Sequence, residues 1–140
     1  MRERNGIMSK ICLDNTFVSD YIDGREYTKR YLLDHIGRTE VFVPYIIMYE
    51  SAVPVYMSKY ERTIEDVKNN LSGFKLVSFD KEKVKETAKI RAHIKQRDDK
   101  SCESPDLLIA GIARSIGATV VTSNVDDFED VPNLDIENPR

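Results

Sequence analysis

Ala118-Thr119-Val120-Val121-Thr122 is the clearest strand in this chain, β-branched from Thr119 onward and preceded by Gly117. The polar run Ser123-Asn124-Val125-Asp126-Asp127 follows it directly. A strand this short and apolar suits the interior of a parallel sheet, buried on both faces. Ile11-Cys12-Leu13, closed by Asp14-Asn15-Thr16, has the same form. Val41-Phe42-Val43 and Lys75-Leu76-Val77-Ser78-Phe79 are expected as further strands, with Leu134-Asp135-Ile136 as a short last one.

Helical patterns fill the intervals. They are expected over Phe17–Ile22 and over Glu26–Ile36, the second ended by Gly37. Pro44 suits the first residue of a helix reaching about Tyr60, kinked at Pro54, and Glu61–Leu71 continues helical until Gly73. Asp80 caps a helix that runs to about Arg97, and Ser104-Pro105 opens another that ends near Gly117. This order makes an α/β sandwich with a mostly parallel central sheet the expected fold. Ligands of such sheets collect outside the carboxyl ends of the strands, where Asp14 and the segment from Thr122 to Asp127 fall.

With 140 residues the chain suits one domain with a single core. Hydrophobic residues at 41% and charged residues at 32% lie outside the range of disordered chains. Residues 9–140 are expected as the domain and 1–8 as a flexible N-terminal extension. Ile7-Met8 is too short for the apolar core of a signal peptide, and no run approaches a membrane span, so no membrane is implied and the expected compartment is the cytoplasm. Cys12 and Cys102 form neither a CxxC unit nor a disulfide framework. A net charge of -3 excludes a molecule that binds nucleic acid by bulk charge, so any such contact is local. The basic residues between Lys81 and Lys100 read as a solvated helix face diluted by Glu82, Glu86, Asp98 and Asp99.

Four acidic positions, far apart in the chain, stand at the edges of apolar runs: Asp14, Glu50, Asp106 and the pair Asn124/Asp127. Alone, Asp14 is a turn residue, Glu50 a helix surface residue and Asp106 a charge favoured by a helix N-terminus. Together they would supply the oxygen donors that Mg2+ or Mn2+ prefers. Two carboxylates within about 4 Å repel by roughly 4 kcal/mol at an effective dielectric near 20, and a divalent cation removes that cost. Such a centre activates water and stabilises charge on a phosphodiester during in-line displacement.

Pro105-Asp106-Leu107-Leu108-Ile109-Ala110 and Val121-Thr122-Ser123-Asn124-Val125-Asp126-Asp127-Phe128 carry a family resemblance. Over about Ile11 to Leu134 the chain resembles a PIN-domain ribonuclease of the VapC type. The resemblance implies a PIN-like three-layer α/β/α sandwich and a divalent-metal-dependent endoribonuclease, the toxin of a toxin-antitoxin pair. It makes Asp14, Glu50, Asp106 and Asp127 the catalytic and metal-binding acids, with Thr16, Thr122 and Asn124 supporting. Thr122 would hydrogen-bond a carboxylate or a metal-bound water, and Asn15 would be a helper. The fourth corner stays open between Asn124, Asp126 and Asp127. RNA is the implied substrate. Implied partners are a cognate antitoxin, which in similar pairs often inserts a basic side chain among the acids, and a second copy in a homodimer. A start at Met8 would place Asp14 seventh, as is usual in the family.

A stripe of Tyr45, Tyr49, Ala52, Tyr56 and Tyr60 on the helix after the second strand is either a protein interface or plain core. Arg91 falls on the apolar side of its helix, where it either pairs with an acid or snorkels, or else leans towards substrate phosphate. His35 and His93 lack companion ligands for zinc and are expected on the surface. Three other functions compete. A stand-alone RNA-processing or DNA-directed nuclease would use the same residues. A receiver-like magnesium-binding domain or a haloacid-dehalogenase-type phosphatase would need a second acid near Asp14 that the chain lacks. A non-catalytic binding domain would fail to bind manganese.

Overall fold

β1 (Ser9–Leu13) occupies the middle of the sheet, flanked by strands that the chain reaches in opposite directions. This computed structural model describes residues 8–57, 63–97 and 104–140. After β1 come α1 (Asn15–Ile22), α2 (Glu26–Leu33), β2 (Thr39–Pro44), α3 (Tyr45–Met57), α4 (Ile64–Asn70) and β3 (Lys75–Val77). Then follow α5 (Lys81–Arg97), α6 (Ser104–Ile116), β4 (Thr119–Val121), a 3-10 turn over Val125–Asp127 and β5 (Ile136–Glu137).

The strand order is β3-β2-β1-β4-β5, and every neighbouring pair is parallel, so the sheet is more uniform than the mostly parallel one expected. The chain steps outward from β1 to β3, then returns to the other side of β1 as β4. Right-handed crossovers put helices met on the outward path on one face and those met on the return on the other. The helix packing agrees: α1 packs on α2 and α3, and α3 on α4, while α5 packs on α6. The result is the three-layer α/β/α sandwich.

Leu13, Val43, Val120 and Val121 are fully buried in the sheet, and Phe17, Ile109, Ile112 and Phe128 close over it. Each such side chain contributes about 1.5–3 kcal/mol relative to exposure. Cys12 is buried too, and burial pushes its thiol up to about 12, so it is inert at neutral pH.

Element ends differ from expectation for local reasons. Pro44 closes β2, in register with Val77, because its fixed φ also suits extended backbone. The α1 helix starts at Asn15 because Asp14 itself is the cap, and α2 stops at Leu33, leaving turns that reach β2 through Gly37 at φ 75°. Ser78 and Phe79 are exposed beyond β3, and β5 pairs at Ile136–Glu137 rather than from Leu134. Pro54 lies within α3, and Tyr60, the end expected for that helix, lies outside the described residues. The next helix starts afresh at Ile64, where Thr63 N–H donates to Asp66 Oδ2 at 2.7 Å. Cys102, Lys100 and the loop between α5 and α6 also lie outside the described residues, as do residues 1–7 of the expected extension.

The two histidines are half-buried, not surface residues. His35 stacks on Tyr31 at 4.2 Å between ring centroids and its Nδ1 lies 2.7 Å from Tyr31 O, while His93 lines a cavity between α5 and residues 129–132. Arg91 is half-buried, and its Nη1 is buried without a hydrogen-bond partner. On α5, Lys81, Lys85, Lys89, Lys95 and Arg97 are exposed, as a solvated face requires, and Lys83 pairs with Asp80 at 3.3 Å.

Candidate active site

The site grows from the junction of β1 and β4. Leu13 pairs with Val121, so the next residues on the two strands, Asp14 and Thr122, emerge side by side at the carboxyl edge. This is where the chain's direction across the sheet reverses, the usual place for a ligand crevice. Asp14 N–H extends the ladder by donating to Val121 O at 3.2 Å. The residue is 4% exposed and each carboxylate oxygen is hydrogen-bonded: Oδ1 accepts from Phe17 N at 2.9 Å, capping α1, and Oδ2 accepts from Thr122 Oγ1 at 2.6 Å.

Thr122 passes the connection on, since its Oγ1 accepts from Asn124 N at 2.9 Å. Asn124 Nδ2 in turn donates to Thr16 Oγ1 at 3.4 Å. Asp14, Thr16, Thr122 and Asn124 thus form one hydrogen-bonded chain. Burial raises the pKa of Asp14, the bonds from Thr122 and Phe17 lower it, and the charges of Asp20 and Asp127 raise it further. Burial wins, and the carboxyl lies above its ordinary value.

Glu50 comes from the second turn of α3, the helix that follows β2. It lines a cleft of about 420 Å³ with Asn15 and Ser19 of α1, Asp23 just after it, Ser51 and Pro54 of α3, and Asn70 of α4. Its Oε1 is buried with no hydrogen-bond partner, and burial raises its pKa as well. A buried acceptor without a donor costs about 1–3 kcal/mol, more if charged. Asp106 stands half-buried in the first turn of α6. Asp127 and Asp126 are exposed on the 3-10 turn, and Asp127 is near enough to Asp14 for its charge to be felt.

Asp14 is therefore bonded directly to Thr122 and, through it, linked to Asn124 and Thr16. Among the described residues no three His, Cys, Asp or Glu side chains stand together closely enough to hold an ion as placed. The donor set is still oxygen throughout, and the orphaned Glu50 Oε1 is the acceptor a hard cation would satisfy, so the residues present fit Mg2+ or Mn2+.

Reading the residues in order missed three neighbours of this set. Ser123 Oγ is buried without a partner beside Thr122. Asp20 lies one turn beyond Thr16 on α1, a helical spacing visible in the sequence. Arg140 reaches Asp20 from 120 residues away, at 3.3 Å, and no sequence signal marks it.

Comparison with known proteins identifies the assembly. A family model described as the PIN domain matches residues 11–134. The fold is similar to that in the DNA-bound VapBC of Salmonella typhimurium, with a TM-score of 0.82, 26% identity, and 95% of this chain and 100% of that chain covered. It is similar as well to VapBC2 from Rickettsia felis, bound to a promoter DNA fragment, at a TM-score of 0.78, 23% identity, and 92% and 98% coverage. VapBC-1 from nontypeable Haemophilus influenzae gives a TM-score of 0.79 at 17% identity, covering 93% and 98%. No curated protein sequence matches significantly. With the family model covering residues 11–134 of 140, the chain belongs to the PIN-domain family.

Proposed function

We propose that the chain is a divalent-metal-dependent endoribonuclease, hydrolysing RNA phosphodiester bonds as the toxin of a toxin-antitoxin pair. PIN domains are generally nucleases. The observation that carries the reading is the buried, partnerless Glu50 Oε1, which lines a cleft together with Asn15, the residue after the hydrogen-bonded Asp14. Asp14, Glu50, Asp106 and Asp127 would hold Mg2+ or Mn2+, which when bound supplies activation of water and stabilisation of phosphodiester charge. Thr122 holds the Asp14 carboxylate in one orientation, and Asn124 with Thr16 holds Thr122 in turn.

The cytoplasm, where RNA lies, is the compartment this reading implies. A cognate antitoxin is the proposed regulator, supported by the similarity to structures of VapBC complexes. A second copy is the proposed partner of α3, whose Tyr45, Tyr49, Val53, Tyr56 and Met57 are exposed. The decisive experiment is cleavage of single-stranded RNA in Mg2+ by the parent, Asp14→Asn and Asp106→Asn. Cleavage by the parent and a loss of at least a hundredfold in both variants, with unchanged circular dichroism, is the expected result. Equal cutting by all three would refute the site.

A further inference from the structure

Beside the acid crevice opens a second cavity, of about 420 Å³, lined by Ser123, Asn124, Val125, Asp126, Asp127 and Asn138. A path of contacts leads from its wall to Arg140. Asn124 bonds Thr16 at 3.4 Å, and Thr16 and Asp20 lie one turn apart on α1. Arg140 Nη2 stands 3.3 Å from Asp20 Oδ2, and Arg140 N–H donates to Asn138 Oδ1 at 3.0 Å, which returns the path to the cavity wall.

Arg140 is held firmly at this rim. Its guanidinium lies 4.3 Å over the centroid of Tyr27, whose hydroxyl donates to the same Asp20 carboxylate oxygen. The side chain is nevertheless 56% exposed, so N–H donors of its five remain open to solvent. A guanidinium fixed on an aromatic face loses little freedom when it meets an anion. Asp20 lies six residues after Asp14, about 9 Å along the helix at 1.5 Å per residue. Arg140 therefore stands roughly one to two nucleotides from the candidate site. The surrounding acids, Asp14, Asp20, Asp126 and Asp127, would repel a polyanion, and Arg140 is the cation that the described contacts tie into this rim. The wall also offers Asn124 and Asn138 amides and the buried, partnerless Ser123 Oγ.

We propose that this cavity is a nucleotide subsite flanking the scissile phosphate, with Arg140 holding a backbone phosphate and Asn124 and Asn138 meeting the edge of the base. The proposal rests on the nuclease reading and deepens it.

The test compares the parent, Arg140→Gln and Arg140→Lys on a fluorescent single-stranded 12-mer RNA, by cleavage kinetics in Mg2+ and by anisotropy in Ca2+ across a salt series. Arg140→Gln is expected to raise KM and weaken binding about tenfold with kcat within twofold. The slope of log affinity against log salt should become shallower by about 0.7, the loss of one phosphate contact on a single strand. Arg140→Lys should keep the slope. Unchanged KM and slope in Arg140→Gln overturn the proposal. So does a weakening with unchanged slope and a lowered Tm, which marks Arg140 as a clamp for its own segment. A parent that cuts no RNA defeats the nuclease reading alone, because the anisotropy slope still reports on Arg140.

Discussion

Glu50 is the residue at which folding and function pull apart. Its Oε1 is buried with nothing to bond it, and burial holds its carboxyl above the ordinary value, as it does for Asp14. Between the ordinary carboxylate range near pH 4 and the raised values, the folded chain binds protons that the unfolded chain has released. Metal-free stability is therefore reduced as pH rises through that window, and the deficit persists at neutral pH. Thermal melts in chelator should show the parent gaining stability as pH falls from neutral towards the ordinary carboxylate range on this account. Glu50→Gln should be more stable than the parent at pH 7.5 by about 0.5–2 kcal/mol, lose part of the pH dependence, and lose RNA cleavage. A variant less stable than the parent at pH 7.5 would show that Glu50 is well solvated. At this scale Asp14 and Thr122 were legible because each directly follows an apolar strand. Glu50 stood out by its place at the end of an apolar run, although an acid within a helix is ordinary, and Arg140 not at all, since its place depends on where a distant helix lies.

Among the elements, the pair α5 and α6 sets the height of Asp106. Thr87 and Gly111 mark their closest approach: a methyl group on Gly111 would fall 1.8 Å from Thr87 Oγ1 and 2.9 Å from its Cα. Arg114 adds a bond to Glu86 at 3.0 Å and to Pro132 O at 3.1 Å. At the end of α6, Gly117 at φ 71° lets Ala118 N–H reach back to Ala113 O at 2.9 Å, turning the chain directly into β4. Gly111→Ala should destabilise by about 1–3 kcal/mol in urea unfolding. Trimming the hydroxyl with Thr87→Ala should not restore it, because the added methyl would still press on the α5 backbone at residue 87. Full recovery in the double variant would mean the hydroxyl alone sets the spacing. Elements were legible from Gly117 and Asp80 at their ends, and from β-branched runs at their centres, whereas α2 stops at Leu33, short of Gly37. Strand lengths were less so: Ser78 and Phe79 alternate like a strand, but β2 ends at Pro44 opposite Val77 and offers them no partner.

For the whole molecule, α3 decides whether the fold is complete as one chain. A helix apolar on every side is normally buried on every side. Ile47, Met48, Ala52 and Val55 face the core, yet Tyr45, Tyr49, Val53, Tyr56 and Met57 are left at 42% to 79% exposure. The expected tyrosine stripe is thus split, with Ala52 in the core and Tyr60 outside the described residues. From Tyr45 to Met57 the exposed side runs about 18 Å at the helical rise. Crossed with its own copy about a two-fold axis, and widened by neighbouring side chains, it is on the scale of the roughly 800 Å² each partner gives a standard interface. The edge of that stripe adjoins Glu50, so a dimer would set two crevices near one surface. Sedimentation equilibrium should return twice the chain mass for the parent and a single mass for Tyr49→Asp combined with Tyr56→Asp, with far-UV circular dichroism unchanged. A parent that sediments as a monomer at micromolar concentration would leave α3 to a partner of different sequence, and the dimer reading would be abandoned.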